Sequence, residues 1–240
     1  MRALDVKVMC EIYGADEKIT EALMALAKAT RDPGWWHAYG DTVPAWFELY
    51  VGLEQAASGL RIYEPEAVPG LLQTADYARE VIRVCSPELS EQEVERTVQV
   101  RLTRQKLFDR KLPPAPRVDV IMGEAAIKRM ENTPGDMRGQ LLQLLQFAKR
   151  PGVSVAILPL PERVTPTVST GPFTILDFPT KGGKPSEPTT VYCQGLTGAL
   201  YLDQPHEVQK FEDMWASIAD DSLTGEDAIN LLEKKAGELS

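Results

Sequence analysis

The chain has 240 residues, of which 43% are hydrophobic and 25% are charged, a composition typical of a globular protein with a sizeable core. No run of about 18 apolar residues occurs, and the first residues form neither a basic nor an apolar leader, so we expect a cytoplasmic protein without a membrane span. The formal net charge of −9 argues against DNA binding, because an acidic surface repels phosphates.

Metal and disulfide chemistry find little support in the residues. Cys10, Cys85 and Cys193 are odd in number, far apart and embedded in apolar contexts, which favours buried, reduced thiols over a disulfide framework. His37 and His206 are the two histidines, and no helix or loop offers ligands at the spacing of a zinc site. We therefore predict neither a bound metal nor a cofactor.

The first 32 residues predict two helices. Residues 4–13 carry apolar side chains at helical spacing and end at Gly14, which predicts a C-cap. Residues 17–30 form a second amphipathic stretch, which begins after Asp16 and is broken by Pro33. A Trp-rich turn follows.

The next segment predicts one helix and then irregular backbone. Residues 45–58 form a helical pattern, and its apolar face contains Trp46, Leu49, Tyr50, Leu53 and Ala57. Gly59 ends this helix, and residues 61–63 alternate like a short strand or an extended segment. Pro65 and Pro69 then enforce non-helical backbone.

Two capping signals mark the following helices. Thr74 predicts the N-cap of a helix over residues 75–84. Ser90 and Glu93 form a capping box that opens a long helix to residue 111. The first half of the chain is therefore predicted to be helical.

From Pro113 the pattern changes to strands. Prolines at 113, 114 and 116 predict a stiff linker that leads into a strand at residues 118–122. Further strands are predicted at 153–158, 173–178, 190–193 and 199–202, helices at 125–130, 136–149, 205–219 and after Thr224, and exposed loops at 159–171 and 181–188. The predicted fold class is α+β, with a helical N-terminal half followed by a small mixed β-sheet with packed helices.

Glu54 is the carboxylate that stands out from the acidic background. It lies among Leu53 and small apolar residues, where a carboxylate must be paired or carry a raised pKa. Arg101 and Arg104 are its natural partners, because their spacing of three lets both guanidinium groups address one carboxylate or one anionic ligand. A structural ion pair and a ligand clamp are both open.

Aromatic residues could line a cleft for an apolar or amphipathic molecule, although core packing is the commoner use of such rings. Gln73, beside a glycine-enforced bend, could hold the bend together or face a partner. The candidate ligand-binding residues are Trp35, Trp36, Tyr39, Trp46, Tyr50, Glu54, Tyr63, Gln73, Tyr77, Arg101 and Arg104. No catalytic residue is identified, since no Gly-x-Ser-x-Gly nucleophile elbow occurs.

The most specific part of the sequence is residues 60–77, LRIYEPEAVPGLLQTADY, whose consecutive residues are hard to explain by packing alone. Two motifs accompany it, WWHAYG from Trp35 and VRLTRQ from Val100. This combination resembles the C-terminal domain, a domain of unknown function (5753), of XRE-type helix-turn-helix transcription regulators. Shorter matches at residues 123–126, 171–176 and 197–202 extend the resemblance over nearly the whole chain.

The resemblance implies a division of the chain. Residues 1–32 would be a remnant of the helix-turn-helix bundle plus a connecting helix, and residues 33–240 a ligand- or partner-binding domain, helical over 33–112 and α+β over 117–240. A helix-turn-helix domain binds DNA by placing its second and third helices at the major groove. The predicted remnant lacks these helices, so we expect no DNA binding by this chain alone. Gln194 also departs from the family pattern, which has a glutamate there.

Three functions are open at this stage. The resemblance favours a regulatory domain that senses a small molecule or binds a small partner protein, as in antitoxin-like regulatory pairs. An alternative is a stand-alone enzyme of natural-product biosynthesis, such as a cyclase that holds an apolar intermediate in an aromatic-lined pocket and needs no cofactor. The third is an interaction module, a homodimer through an exposed apolar face.

Overall fold

The structure is a computed structural model that describes residues 44–160, 166–181 and 184–239, together with Cys10, Thr20, Trp35, Trp36 and Tyr39. The chain divides into two compact units, Met1–Gly40 and Asp41–Ser240. Apart from Cys10 and Thr20, the helices predicted at 4–13 and 17–30, and with them the expected helix-turn-helix remnant, lie outside the described residues. The elements below belong to the larger unit.

The larger unit contains seven described helices and eight described strands. The helices are α1 (Ala45–Ala56), α2 (Ala75–Cys85), α3 (Glu91–Arg104), α4 (Glu124–Met130), α5 (Met137–Ala148), α6 (Pro205–Asp220) and α7 (Gly225–Glu238). The strands are β1 (Gly59–Glu64), β2 (Arg117–Gly123), β3 (Val153–Leu158), β4 (Phe173–Asp177), β5 (Thr180–Lys181), β6 (Lys184–Pro185), β7 (Thr190–Gly195) and β8 (Gly198–Leu202). Short 3-10 turns occupy Gly70–Leu72, Gln105–Asp109 and Pro166–Ser169.

A six-stranded mixed sheet organises the unit, in the order β3-β2-β1-β4-β7-β8. β1, β2 and β3 run parallel to one another, whereas β4, β7 and β8 continue the sheet with antiparallel pairings. Residues 61–63 are therefore a strand, and that strand lies in the middle of the sheet. The predicted α+β class, with helices in the N-terminal half and a mixed sheet, is confirmed.

Both faces of the sheet are buried. On one face, called the α6 face below, Tyr63, Ile121 and Phe173 pack with residues of helix α6. Side chains alternate along a strand, so Leu60 and Val120 point to the opposite face, and both are almost fully buried there. The strands consequently form the central layer of the unit.

Side-chain caps begin three helices. The Thr74 hydroxyl accepts a hydrogen bond from the Tyr77 amide at 3.2 Å, and Ser90 forms a reciprocal capping box with Glu93, as predicted. Asp136 caps α5 by accepting from the Gly139 amide at 2.7 Å. The capping residues therefore fix the starts of α2, α3 and α5 locally.

Two predicted helices differ from the structure. Helix α1 ends at Ala56, because Ala57 has the extended backbone that leads into β1. Leu49 is predicted on its buried face, but it is 53% exposed; among the described side chains of α1, those of Tyr50, Val51 and Glu54 are buried. The hydrophobic pattern predicts the wrong orientation for Leu49, because the inward face of α1 carries the carboxylate of Glu54. The helix predicted to reach residue 111 is α-helical only to Arg104 and continues as a 3-10 turn.

The three cysteines are free. Cys10 is buried and Cys193 is half-buried, and burial raises the pKa of the Cys193 thiol to about 11. The prediction of a buried thiol is wrong for Cys85, which is exposed at the end of α2, one turn beyond the buried Ile82. Within the described ranges, no three metal-ligating side chains come together, and no helix has the length and apolarity to cross a membrane.

Candidate functional site

The motif around Pro69 and Gly70 forms a tight buried turn between β1 and α2. Its 3-10 turn, Gly70–Leu72, is closed by the Leu72 amide, which donates to the Pro69 carbonyl at 2.8 Å. Leu71 and Leu72 are almost fully buried. A buried turn exposes few backbone groups to water, so its N–H and C=O groups need protein partners.

Gln73 holds this turn closed with both ends of its amide. Its Nε2 donates to the Val68 carbonyl at 2.7 Å, and its Oε1 accepts from Arg101. The Gln73 carbonyl accepts from Gln105 Nε2 at 2.6 Å, and the Tyr77 hydroxyl accepts from the Val68 amide at 3.2 Å. The structure thus brings Gln73, Tyr77 and Arg101 together, and the Gln73 side chain is engaged within the bend.

Gln140 of α5 is a second clamp on the turn, which sequence reasoning missed. It is fully buried; its Oε1 accepts from the Thr74 amide at 2.7 Å and its Nε2 donates to the Leu72 carbonyl at 3.0 Å. The signal was present in the sequence, because Gln140 lies on the apolar stripe of α5 next to Leu141 and one turn before Leu144.

Glu54 and Arg104 form a buried ion pair beside the same turn. Arg104 Nε and Nη2 donate to the two carboxylate oxygens at 2.9 and 2.6 Å, and the two residues are 6% and 0% exposed. Burial opposes the charge on Arg104, but the charge and hydrogen bonds of Glu54 prevail and raise the pKa of Arg104. Fork geometry of this kind gives each carboxylate oxygen a charge-assisted hydrogen bond.

Aromatic rings enclose the pair. The guanidinium carbon of Arg104 lies 5.2 Å from the Phe47 ring centroid and 5.3 Å from that of Tyr50. Tyr50 also meets the ring of Tyr192, with centroids 4.2 Å apart. Burial, followed by the charge of Glu54, raises the pKa of Tyr50. Phe47 and Tyr192 were missed from sequence, because nothing in their local pattern shows that β7 reaches α1.

Arg101 has a different environment from Arg104. It is half-buried, it does not reach Glu54, and no carboxylate lies within ion-pair distance of it in the described part of the chain. Its amide partner is Gln73. Burial and then the nearby charge of Arg104 lower the pKa of Arg101 to about 10. The expectation that both arginines address Glu54 is therefore wrong: Arg104 bonds both of its oxygens, and the Tyr50 side chain also bonds it. A joint hold of both arginines on one anionic ligand stays a prediction.

The predicted aromatic residues of the larger unit do not line one cleft. Tyr63 packs on Phe173 on the α6 face, with ring centroids 5.5 Å apart, whereas Tyr50 stacks against β7 on the opposite face. Tyr50, Tyr63 and Tyr77 are each at most 5% exposed. Trp46 is half-buried, and its carbonyl accepts from the Tyr201 hydroxyl at 2.6 Å.

The smaller unit contains the other three predicted aromatic residues. The ring of Trp35 meets those of Trp36 and Tyr39 edge-on, with centroids 5.9 and 5.8 Å apart. Such T-shaped arrangements are favourable for aromatic pairs. The three rings thus form one cluster.

Glu64 ends β1 at a close crossing of the backbone. A Cβ atom on Gly123 would lie 2.2 Å from the Pro65 carbonyl oxygen, so this end of β2 requires glycine. Burial raises the pKa of the half-buried Glu64 carboxyl to about 7, although the Glu66 amide donates a hydrogen bond to it. Glu64 is not among the residues predicted for the site, because its burial is not visible in the sequence.

Two surface grooves lie away from these residues. One, of about 460 Å³, runs between α5 and α7 beside Arg138 and Leu142, and another, of about 440 Å³, borders α4 beside Lys128 and Leu160. Neither contains a residue of the predicted site. The buried polar network of Glu54, Gln73, Arg101, Arg104 and Gln140 is accordingly the more specific feature.

These observations define an α+β domain in which a mixed sheet and three helices enclose a buried polar network. The sequence model of the family described as domain of unknown function (DUF5753) matches residues 47–234. The chain belongs to this family. Neither the curated proteins nor the solved structures compared with it gave a match.

Proposed function

We propose that this domain is the sensing part of an XRE-type transcription regulator, and that it binds an anionic group of a small molecule or of a small partner protein at Arg101. The proposed role as the sensing domain of a regulator is supported by the sequence resemblance of residues 60–77 and of the motifs that accompany them. The location of the site rests on the buried polar network. On this proposal the chain does not bind DNA by itself.

The environment of Arg101 is the observation that supports the location of the proposed site. A half-buried guanidinium loses hydration, and the neutral Gln73 amide compensates that loss less well than a carboxylate would. The lowered pKa of Arg101 expresses the same deficit. An incoming carboxylate or phosphate would supply the missing negative charge through charge-assisted hydrogen bonds.

Glu54 does not supply the missing negative charge to Arg101, because it is paired with Arg104. Both oxygens of that carboxylate already bond Arg104, and these bonds hold Arg104 one helical turn from Arg101. Arg104 therefore has a supporting role: burial and then its charge lower the pKa of Arg101, and Glu54 is the counter-charge that holds Arg104 in place. Because Arg101 also bonds Gln73, an anion at Arg101 would act directly on the turn that joins β1, α2 and α5.

A thermal-shift screen tests the proposal. The panel consists of carboxylates and phosphates, each with its neutral amide or ester counterpart, and the proteins are the wild type, Arg101→Met and Arg96→Met. Arg96 is exposed on the same helix and serves as the matched control. We expect an anionic compound to raise the melting temperature of the wild type and of Arg96→Met but not of Arg101→Met.

Affinity capture with the same three proteins covers a protein partner. A small protein retained by the wild type and by Arg96→Met, but not by Arg101→Met, would support the partner form of the proposal. If no compound and no protein depends on Arg101, the proposed site is wrong.

The enzyme alternative has one supporting observation, the half-buried Glu64 carboxyl. A pKa of about 7 suits a general acid or base at neutral pH. Mass spectrometry of any stabilising compound after incubation separates the two functions. A sensor returns the compound unchanged, whereas an enzyme converts it, and Glu64→Gln would stop the conversion.

A further inference from the structure

Strand β8 is an apolar edge of the sheet. It pairs with β7 on one side, and no strand of the described residues pairs with its other side. Leu200, the central residue of β8, is 62% exposed, and Leu196 in the turn before it is fully exposed. Edge strands are normally protected by charged side chains, proline or bulges, because unpaired backbone groups attract further strands.

The register of the β7–β8 hairpin determines which backbone groups of β8 point outward. Gly195 pairs with Gly198 around a two-residue turn, so these two residues exchange both backbone hydrogen bonds. Bonded and non-bonded pairs alternate along antiparallel strands, so Leu200 directs its N–H and C=O toward Cys193 of β7. The N–H and C=O groups of Ala199 and Tyr201 consequently point away from β7.

The hairpin is also free of charge. Residues 189–202 contain no Asp, Glu, Lys or Arg, in a chain with 35 acidic and 26 basic residues and a net charge of −9. Two copies of an acidic protein repel each other, and a neutral strand is a place where they can meet without opposing like charges. A pairing of β8 with another β8 therefore brings no like charges of the two hairpins together.

We propose that the protein forms a homodimer in which the β8 strands of two copies pair antiparallel about a two-fold axis at Leu200. This interface does not depend on the ligand proposed above. Leu200 of one copy lies opposite Leu200 of the other, as a pair without backbone hydrogen bonds, at a Cα separation of about 4.5 Å. Ala199 faces Tyr201 of the second copy on both sides of the axis, and these pairs exchange backbone bonds. The outward groups of β8 are thereby satisfied.

The side chains fit the same arrangement. Leu200 and Leu202 lie on the same face of the strand, two residues apart, and Leu202 packs against the cluster under α6. The facing Leu200 side chains would extend that apolar layer across the two-fold axis. Cross-strand apolar pairs of this kind stabilise antiparallel sheets.

Sedimentation of the full chain tests the dimer. We expect the wild type at about twice the chain mass of 26.6 kDa, and Leu200→Lys at the mass of one chain, because two cations would face each other at the axis. Val84→Lys is the matched control, since Val84 is 79% exposed on α2, and it should remain dimeric. Unchanged far-ultraviolet circular dichroism spectra would show that both variants are folded. A monomeric wild type, or a dimeric Leu200→Lys, would overturn the proposal.

Charge pairing tests the two-fold axis itself. Leu200→Lys and Leu200→Glu should each be monomeric, but an equimolar mixture should form the heterodimer, because lysine then faces glutamate. A mixture that stays monomeric would overturn the pairing at Leu200.

Hydrogen exchange identifies the paired edge. The amides of Ala199 and Tyr201 should exchange more slowly in the wild type as protein concentration rises, and rapidly at all concentrations in Leu200→Lys. Rapid exchange of both amides in a wild-type dimer would assign the interface to another surface. Slow exchange that is independent of concentration would show that a segment of the same chain covers β8. Either result contradicts the proposal.

Discussion

The Glu54–Arg104 pair shows how a single buried residue can depend on its partner. A buried carboxylate and a buried guanidinium each lose hydration, and their mutual bonds compensate only while both are present. We predict that Glu54→Gln lowers the free energy of unfolding by about 3–5 kcal/mol, because Arg104 is left buried and without its counter-charge. Urea denaturation measures this effect, and Glu48→Gln on the same helix should change stability by less than about 0.5 kcal/mol.

The pair can also be removed as a whole. A double variant Glu54→Leu, Arg104→Met should lose less stability than the sum of the two single variants, because neither charge is then stranded. Arg104→Ala would test the candidate site at the same time. Unchanged folding and unchanged binding in that variant would contradict both the structural and the ligand role of Arg104.

The raised pKa of the Glu64 carboxyl should make the free energy of unfolding depend on pH. Its pKa is about 7 in the folded protein against 4.5 as the ordinary value, so the folded state binds more protons between these two pH values. The free energy of unfolding contributed by Glu64 therefore falls as pH rises through that range. Relative to Glu64→Gln, we predict that the wild type is similar at pH 5 and less stable by about 1–3 kcal/mol at pH 8.

Denaturant unfolding at both pH values checks this prediction. Glu88→Gln removes an exposed carboxylate of the same charge and is the matched control. Its difference from the wild type should not change with pH. An equal difference for Glu64→Gln at the two pH values would show that the Glu64 carboxyl is not destabilised by burial.

At the scale of elements, Gln140 joins three of them. Its amide binds the 3-10 turn after β1 and the first turn of α2, while its backbone belongs to α5. We predict that Gln140→Leu lowers the free energy of unfolding by about 1–3 kcal/mol, because the Thr74 amide loses its partner, while the Leu72 carbonyl keeps the hydrogen bond from Gln143. Gln146→Leu, at an exposed position of the same helix, should be nearly neutral in the same unfolding experiment. Equal stability of both variants would contradict the clamp.

The elements themselves were largely predictable, whereas their arrangement was not. Caps such as Thr74 and Ser90 act on their own helices, so local sequence located the helix starts within a residue or so. The central position of β1 could not be predicted, because residues 59–64 pair with strands more than fifty residues away along the chain. Leu49 shows the same limit, since its exposure depends on what α1 packs against.

The candidate site could be predicted only in part, because some of its residues come together through tertiary packing. The anomalous composition around Glu54 and the spacing of Arg101 and Arg104 are local signals, and they led to the buried pair. Gln140 and Phe47 reach the network through tertiary packing. The place of Gln140 on the apolar stripe of α5 indicates that it is buried, but no local pattern shows which groups it bonds. The aromatic cleft was inferred from composition, which cannot tell that Tyr63 and Tyr50 lie on different faces of the sheet.

At the scale of the whole molecule, the net charge argues against DNA as a binding partner. A net charge of −9 opposes the neutralisation of phosphates on which DNA binding depends. We predict that the isolated chain does not retard duplex DNA in a gel at physiological salt, even at micromolar protein. Retardation of a specific duplex under these conditions would contradict the prediction.

A calorimetric titration of Arg101 variants tests the central claim most directly. With the compound or protein found in the screen, Arg101→Met should bind about 10–100-fold more weakly than the wild type, as expected for the loss of a charge-assisted hydrogen bond. Arg96→Met should bind like the wild type, and the wild-type affinity should decrease with added salt. Equal affinity of the wild type and Arg101→Met would contradict the claim that this half-buried guanidinium receives the anionic group.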